Sequence, residues 1–109
     1  MDVLLPNSDI ARASRLYGKY HNVKEKTVSF CGADVRYYLL NGKPAELDRE
    51  VYSILCVKYN DDDIEDSEFV FDVTSDITAA NLIFDMITRN AVTPCCLIDA
   101  VENIIAGML

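Results

Sequence analysis

The sequence predicts an α+β domain: an antiparallel sheet of about four strands, packed on one face by a C-terminal two-helix hairpin, with a short N-terminal helix. Three observations lead to this prediction. Alternating β-branched and aromatic runs fill the middle of the chain, two stretches with apolar residues at helical spacing follow, and the strands are grouped apart from the helices. Half of the 109 residues are hydrophobic, which suffices for the core of a single domain.

An N-terminal arm, residues 1–26, precedes the predicted domain of residues 27–109. The cap signal Asn7-Ser8-Asp9 and the stop signal Gly18 predict a short helix between them. The apolar face of this helix consists of Ile10, Ala13 and Tyr17. A helix this short needs a surface to dock on. The stretch Lys19–Lys26 is polar and is interpreted as a link.

Four strands are predicted in the middle of the chain, at residues 27–31, 35–40, 51–59 and 68–74. The third is the most apolar and is predicted to be central. Gly32-Ala33-Asp34 reads as a turn, and Asn41-Gly42 is a strong hairpin signal because both residues tolerate positive φ. The acidic stretch Asn60–Ser67 is predicted to be a loop. The fourth strand is expected to place Phe69, Phe71 and Val73 on one face.

Two helices are predicted after the strands. Ser75 or Asp76 caps the first, and Asn90 is expected to end it in a left-handed conformation. Thr93 is expected to cap the second helix, with Pro94 in its first turn. The predicted apolar stripe of the first helix is Ala79, Leu82, Ile83, Met86 and Ile87. The stripe of the second is Leu97, Val101, Ile104, Ile105 and Met108.

The charge is unevenly distributed and bears on the choice of partner. The formal net charge is −8, with five basic against three acidic residues in 1–26 and five against fifteen in 27–109. An acidic body repels phosphate backbones, so duplex nucleic acid is not expected as its partner. The chain shows neither a secretory signal nor an apolar run long enough to cross a bilayer. We therefore expect a cytoplasmic protein with no membrane contact.

The four cysteines do not form a recognisable metal motif. Cys31, Cys56, Cys95 and Cys96 lack C-x-x-C spacing, and the single His21 lies far from them, so neither a metal nor a cofactor is predicted. Cys95 follows a helix-start signal, which lowers a thiol pKa and suggests a reactive thiol with Cys96 as its partner. No base lies near Cys95 in sequence, so buried, inert thiols are the favoured interpretation.

No catalytic constellation is found, and the chain is not expected to be an enzyme. A calcium loop needs a glycine turn that the acidic stretch lacks, although Asp61, Asp63 and Glu65 alternate there. A solvated loop is the simpler interpretation. Asp99 and Glu102 lie opposite an apolar stripe, where solvated carboxylates are normal. No nucleophile has an adjacent base, and no glycine-rich phosphate loop is present.

The chain resembles a family of small bacterial proteins of unknown function, typical of Gram-positive anaerobes. The residues that carry the resemblance are Tyr37-Tyr38-Leu39-Leu40, Val51-Tyr52-Ser53-Ile54, Thr74-Ser75-Asp76 and Val92-Thr93-Pro94-x-x-Leu97-x-Asp99-x-Val101-Glu102. The resemblance covers about residues 36–109 and departs at Asn103-Ile104-Ile105, where a more acidic, aromatic finish is expected. It implies a small cytoplasmic bacterial protein and carries over no functional residues.

These observations predict a non-catalytic protein-interaction or regulatory module, with a protein partner or self-association, such as a homodimer. The residues assigned to the interaction surface are Tyr37, Tyr38 and Tyr52 on an exposed sheet face, and Arg12 and Arg15 on the arm. The arm either docks on the acidic body, which is the favoured interpretation, or contacts RNA or an acidic partner. The alternative function is a small-molecule-binding or thiol-responsive protein with a site near Cys95.

Overall fold

The computed structural model describes residues 20–30, 32–43, 49–61 and 63–108. They form strands β1 (Tyr20–Phe30), β2 (Ala33–Gly42), β3 (Val51–Asn60) and β4 (Asp63–Thr74), helix α1 (Ile77–Arg89), a 3-10 turn (Pro94–Cys96) and helix α2 (Leu97–Met108). The strands pair antiparallel in the order β1-β2-β3-β4. The predicted α+β architecture is confirmed. The N-terminal helix predicted over residues 10–17 and its Arg12 and Arg15 lie outside the described residues.

Strand β1 begins earlier than the sequence predicts. Residues 20–26, interpreted as a polar link, form the first half of β1 and pair with β2. The prediction is wrong because β1 is an edge strand, where polar residues are tolerated on both faces, and because an irregularity near Val23 interrupts its alternation. Asn41 and Gly42 lie within β2 opposite His21 and Tyr20, so they do not form the predicted turn.

Strand β4 also begins earlier than predicted. The reversal after β3 is tight, with Asp61 in a left-handed conformation at φ 52°, and β4 starts at Asp63. The acidic stretch is therefore mostly strand, and its prediction as a loop is wrong. Near its other end, β4 has an irregularity at Asp72, whose N–H donates to the Ser53 hydroxyl at 3.0 Å. This irregularity shifts the alternation of β4, so the apolar side chains on either side of it do not share a face as predicted.

One face of the sheet packs against both helices and forms the helix-side core. Its buried members are Val35, Tyr37, Leu39, Ile54, Cys56, Ala80, Ile83, Phe84, Ile87, Leu97 and Val101. In α1, Ile83 and Ile87 are buried as predicted, but Leu82 is 47% exposed, and Phe84, which the predicted stripe left out, is buried. The buried side of α1 is rotated towards Phe84, so that an aromatic ring, which is larger than a leucine side chain, packs against the sheet. In α2, Leu97 is buried, whereas Met108 at the end of the predicted stripe is exposed.

Helix α1 has a well-defined start. The Asp76 carboxylate accepts hydrogen bonds from the N–H groups of Thr78 at 3.3 Å and Ala79 at 3.4 Å, as expected of a capping residue. Asp76 is thus the cap, one of the two predicted. Thr93, predicted to cap the second helix, makes no such side-chain bond and instead precedes the 3-10 turn.

Helix α1 ends in a Schellman motif. The Val92 N–H donates to the Ile87 carbonyl and the Ala91 N–H to the Thr88 carbonyl, both at 3.2 Å. Ala91 is the left-handed residue, at φ 50°, whereas Asn90 has φ −92°. The predicted left-handed stop is therefore one residue too early.

The opposite face of the sheet is apolar and buried. Its buried side chains form a second-face cluster: Tyr38, Leu40, Leu55, Val57 and Tyr59. Tyr20 and Phe69 pack against it, with their ring centroids 5.7 Å apart and nearly perpendicular. The sequence predicted this face to carry tyrosines and alternating charges at the surface, which is wrong for the two central strands.

Candidate functional site

The tyrosines predicted to form an exposed surface are mostly inside the protein. Tyr37 is fully buried in the helix-side core, and its hydroxyl donates to the Val92 carbonyl at 2.8 Å. Tyr38 is 2% exposed on the second face, and Tyr52 is half-buried against the helix-side core. Burial raises the pKa values of Tyr37 and Tyr38. The prediction that Tyr37 or Tyr38 is exposed fails because both central strands are covered on both faces.

Two adjacent thiols lie at the surface in the 3-10 turn. Cys95 and Cys96 are both exposed, with their Sγ atoms 3.8 Å apart, and the Thr93 hydroxyl lies 3.5 Å from the Cys95 Sγ. The favoured interpretation of both thiols as buried is wrong. The 3-10 turn buries Pro94 and the following helix buries Leu97, which leaves the two positions between them facing solvent.

The surroundings of Cys95 favour its thiolate. Its pKa is lowered, first by the hydrogen bond with the Thr93 hydroxyl and then by that with the Cys96 thiol, while the charge of Asp66 acts in the opposite direction. Cys56 is a contrasting case, because burial raises the pKa of its thiol to about 12. Its Sγ donates to the Val92 carbonyl at 3.6 Å. Cys56 thus behaves as the buried apolar side chain that was predicted.

The outer strand β4 carries a run of carboxylates, which we call the acidic strip: Asp63, Glu65, Asp66 and Glu68. Residues 63–66 are exposed, and the apolar Ile64 among them is 49% exposed. Glu65 pairs with Lys58 at 3.1 Å, and Asp66 accepts from the Ser67 N–H at 2.9 Å. Among the described strands, β4 pairs with β3 alone. The strip thus borders an outer edge of the sheet.

An open polar cleft of about 270 Å³ lies where β2 begins and β3 ends. Its lining residues are Gly32, Asp34, Arg36, Tyr59 and Asp61. The Arg36 guanidinium carbon lies 4.6 Å from the centroid of the Tyr59 ring, in a cation–π contact that covers one side of that ring. Asp34 accepts a hydrogen bond from the Ser29 hydroxyl at 2.6 Å. The cleft therefore combines carboxylates with an aromatic surface already occupied by a cation.

Two absences hold for the described part of the chain. Among those residues, no three His, Cys, Asp or Glu side chains are grouped so that they could hold a metal ion. No helix within the same ranges has both the length and the apolar character needed to span a membrane.

Comparison with known proteins places the chain in a family. Residues 19–107 match the model of the Family of unknown function (DUF6514). The chain belongs to this family. The match starts beside Tyr20, where β1 begins, and covers the whole sheet, helix α1 and helix α2 up to Gly107. The resemblance seen in the sequence, over about residues 36–109, identified a family of unknown function but missed β1. No curated protein and no solved structure matches the chain.

The sequence did not identify the features that give these sites their character. The thiol of Cys95 depends on Thr93, two residues away, which was interpreted only as a helix cap. The acidic strip depends on the pairing of β4 with β3. The sequence did not predict this pairing, because a stretch so rich in carboxylates was interpreted as a loop. In both places the relevant signal was present, but it was assigned to a different structural role.

Proposed function

We propose that the protein is a non-catalytic interaction module that binds a basic, extended segment of a partner protein along the acidic strip of β4. The observation that carries this proposal is an outer strand with four carboxylates, exposed over residues 63–66 and paired with β3 alone among the described strands. An extended segment that adds to such an edge gains main-chain hydrogen bonds, and its side chains meet those of the strip.

The charge of the strip selects the partner. Carboxylates along an edge strand disfavour pairing between two copies of the same edge, because like charges would face each other. They attract lysine and arginine and accelerate encounter with a basic segment. The exposed Ile64 offers an apolar contact between the charges. Both properties fit a segment in which basic and apolar residues alternate.

The test is an NMR titration of the full chain with a capped decapeptide of alternating lysine and valine. We expect amide shifts concentrated at residues 63–68 and binding that weakens steeply from low to physiological salt. The double variant Asp63→Asn/Glu65→Gln should weaken binding at least several-fold. The matched control is Glu25→Gln/Glu50→Gln, which removes the same charge from exposed positions outside the strip and should bind as the original chain does. Equal loss in both double variants, or shifts spread over the helices, would contradict the proposal.

The proposal includes a cellular setting, the cytoplasm of a Gram-positive bacterium. The exposed free thiols Cys95 and Cys96 support it, because reducing compartments preserve such thiols. The resemblance of the sequence to small bacterial proteins supports the bacterial origin. Fractionation of the native cell followed by immunoblotting checks the location, and recovery in the secreted fraction contradicts it.

A second candidate function is a response to thiol oxidants at Cys95. Attack of the Cys95 thiolate on hydrogen peroxide gives the sulfenic acid and hydroxide, and condensation with the Cys96 thiol then forms a disulfide and releases water. The observation that favours it is the exposed pair with the Thr93 hydroxyl beside Cys95. Because the bonded sulfurs of a disulfide are much closer than 3.8 Å, the turn must adjust for the second step.

Iodoacetamide labelling at pH 7, read by mass spectrometry, tests this second function. We expect Cys95 to label faster than a model peptide and Cys56 to stay unlabelled in the folded protein. Thr93→Val, which keeps the shape and removes the hydroxyl, should slow labelling of Cys95. Thr78→Val, at an exposed position of α1, is the control. If Cys95 labels no faster than the peptide, the thiol function is rejected and the interaction function is unaffected.

A further inference from the structure

The second-face cluster is buried more completely than the described strands explain. Leu55 and Val57 are fully buried, and Tyr38 is 2% exposed. In the described part of the chain, the side chains that make up this cluster or pack against it all come from strands. Neighbouring strands lie about 5 Å to the side, whereas the layer that closes a sheet face lies about 10 Å above it. Full burial of Leu55 and Val57 therefore requires a layer over the second face.

We propose that the chain's own N-terminal segment, residues 1–19, forms this layer by docking on the second-face cluster. The path of the chain supports this occupant. Tyr20 is the first residue of β1, and its ring lies edge-to-face against Phe69 on the second face. The first described residue of the chain therefore already contacts the second-face cluster, so a segment that precedes it starts beside this cluster.

The size of the segment fits the cluster. Residues 10–17, the helix predicted from the sequence, span about 12 Å as an α-helix. The row from Leu55 to Tyr59 along β3 spans about 13 Å. The apolar face of the helix, formed by Ile10, Ala13 and Tyr17, can thus cover this row, with the remaining residues left to connect it to β1.

The charges of the segment fit the rim of the face. In the helix predicted from the sequence, Arg12 and Arg15 lie opposite the apolar face. The polar cleft beside Tyr59 is lined by the carboxylates Asp34 and Asp61 and by one cation, Arg36, so the rim of the cluster is acidic on balance. Docking of the apolar face therefore leaves both arginines in solvent near an acidic rim and buries no guanidinium. The docked segment makes the second face an internal interface, separate from the acidic strip.

The test is methyl NOE spectroscopy on the full chain. We expect cross-peaks between the methyl groups of Ile10 and those of Leu55 or Val57. A sample that mixes isotope-labelled and unlabelled chains separates contacts within one chain from contacts between copies. Cross-peaks within one chain support the proposal. Cross-peaks only between chains mean that a second copy covers the face, and no cross-peaks from residues 1–19 mean that the segment does not cover it. Either of these results overturns the proposal.

A pair of variants adds a second measurement. Ile10→Asp places a carboxylate on the predicted apolar face, and Ser8→Asp places one in the cap signal before the predicted helix, outside that face. We expect Ile10→Asp to raise the fluorescence of the dye ANS several-fold, because it exposes the second-face cluster, and Ser8→Asp to leave it unchanged. Continued hydrogen-exchange protection of Phe84 in α1 shows that the fold persists. If ANS fluorescence is unchanged in both variants, docking is contradicted. A change in the peptide titration would concern the acidic strip alone.

Discussion

The two faces of the sheet are both buried, but they are built differently. The helix-side core combines side chains from strands with side chains from α1 and α2, whereas the second-face cluster contains strand residues alone among the described ones. The central strands explain why both faces need a cover. In β3, Ile54, Leu55, Cys56 and Val57 are consecutive and all fully buried, a pattern typical of strands covered on both sides. A continuous apolar strand therefore predicts two layers, even when only one layer is apparent.

The largest expected effect is on the helix side. Phe84→Ala should lower the free energy of unfolding by about 3–5 kcal/mol, because Phe84 is the largest buried side chain that the helices supply to that core. Urea unfolding followed by circular dichroism measures it. A cost below about 1 kcal/mol would show that α1 contributes little to the core and would weaken the contrast between the two faces.

Adjacent residues of β3 allow a direct comparison of the faces. Ile54 points to the helix-side core and Leu55 to the second-face cluster, and both are fully buried. Ile54→Ala and Leu55→Ala should each cost about 2–5 kcal/mol, because each leaves a cavity between two layers. The same urea experiment measures both. If Leu55→Ala costs far less than Ile54→Ala, the second face is open in solution.

High pH should destabilise both faces. Burial raises the pKa values of Tyr37 on the helix side and of Tyr38 and Tyr59 on the second face. Above pH 10, the unfolded chain loses phenolic protons that the folded chain keeps, so stability falls as pH rises. Each tyrosine that stays protonated contributes about 1.4 kcal/mol per pH unit over that window. Unfolding at pH 9, 10 and 11 measures the slope, and Tyr37→Phe and Tyr59→Phe should each reduce it. A flat profile contradicts the burial of these phenols.

The smallest expected effect is a stabilisation confined to the helix layer. Ala91 adopts a left-handed conformation, which costs an L-residue about 1–2 kcal/mol. Glycine has no such penalty but gives more entropy to the unfolded chain, so Ala91→Gly should raise stability by about 0.5–1 kcal/mol. Thermal unfolding detects this change. If the NOEs among side chains of the second face are the same in Ala91→Gly as in the original chain, the two faces respond separately. If these NOEs change, the two faces are coupled.

The sequence was sufficient for the parts of the fold with strong periodic or capping signals. It predicted the α+β class, a central apolar third strand, two closing helices and Asp76 as a candidate cap. It misplaced the starts of β1 and β4, because charged residues on edge strands look like loops when their pairing is not known. Leu82 and Phe84 lie on nearly opposite sides of α1, and the predicted stripe was rotated around the helix relative to the side that is buried.

The candidate site depended even more on tertiary contacts. Tyr37 and Tyr38 were predicted to be exposed because tyrosine occurs both in protein interiors and at protein surfaces. Only the packing on both faces of the sheet shows that these two tyrosines are buried. The sequence named Cys95 as a possible reactive thiol and favoured a buried, inert one, whereas its exposure and its hydrogen bond with Thr93 arise from the 3-10 turn before α2. The sequence therefore indicated a residue to test and the wrong environment for it.

The carbonyl of Val92 has a mechanical consequence. It accepts from the Tyr37 hydroxyl of β2 and from the Cys56 thiol of β3, while the N–H of the same residue closes the end of α1. The two central strands thus fix the position of Val92, which lies in the connection between the two helices. The hairpin cannot slide along the sheet without breaking both bonds. A force that separates the helices from the sheet must therefore break both bonds at Val92 in addition to opening the helix-side core.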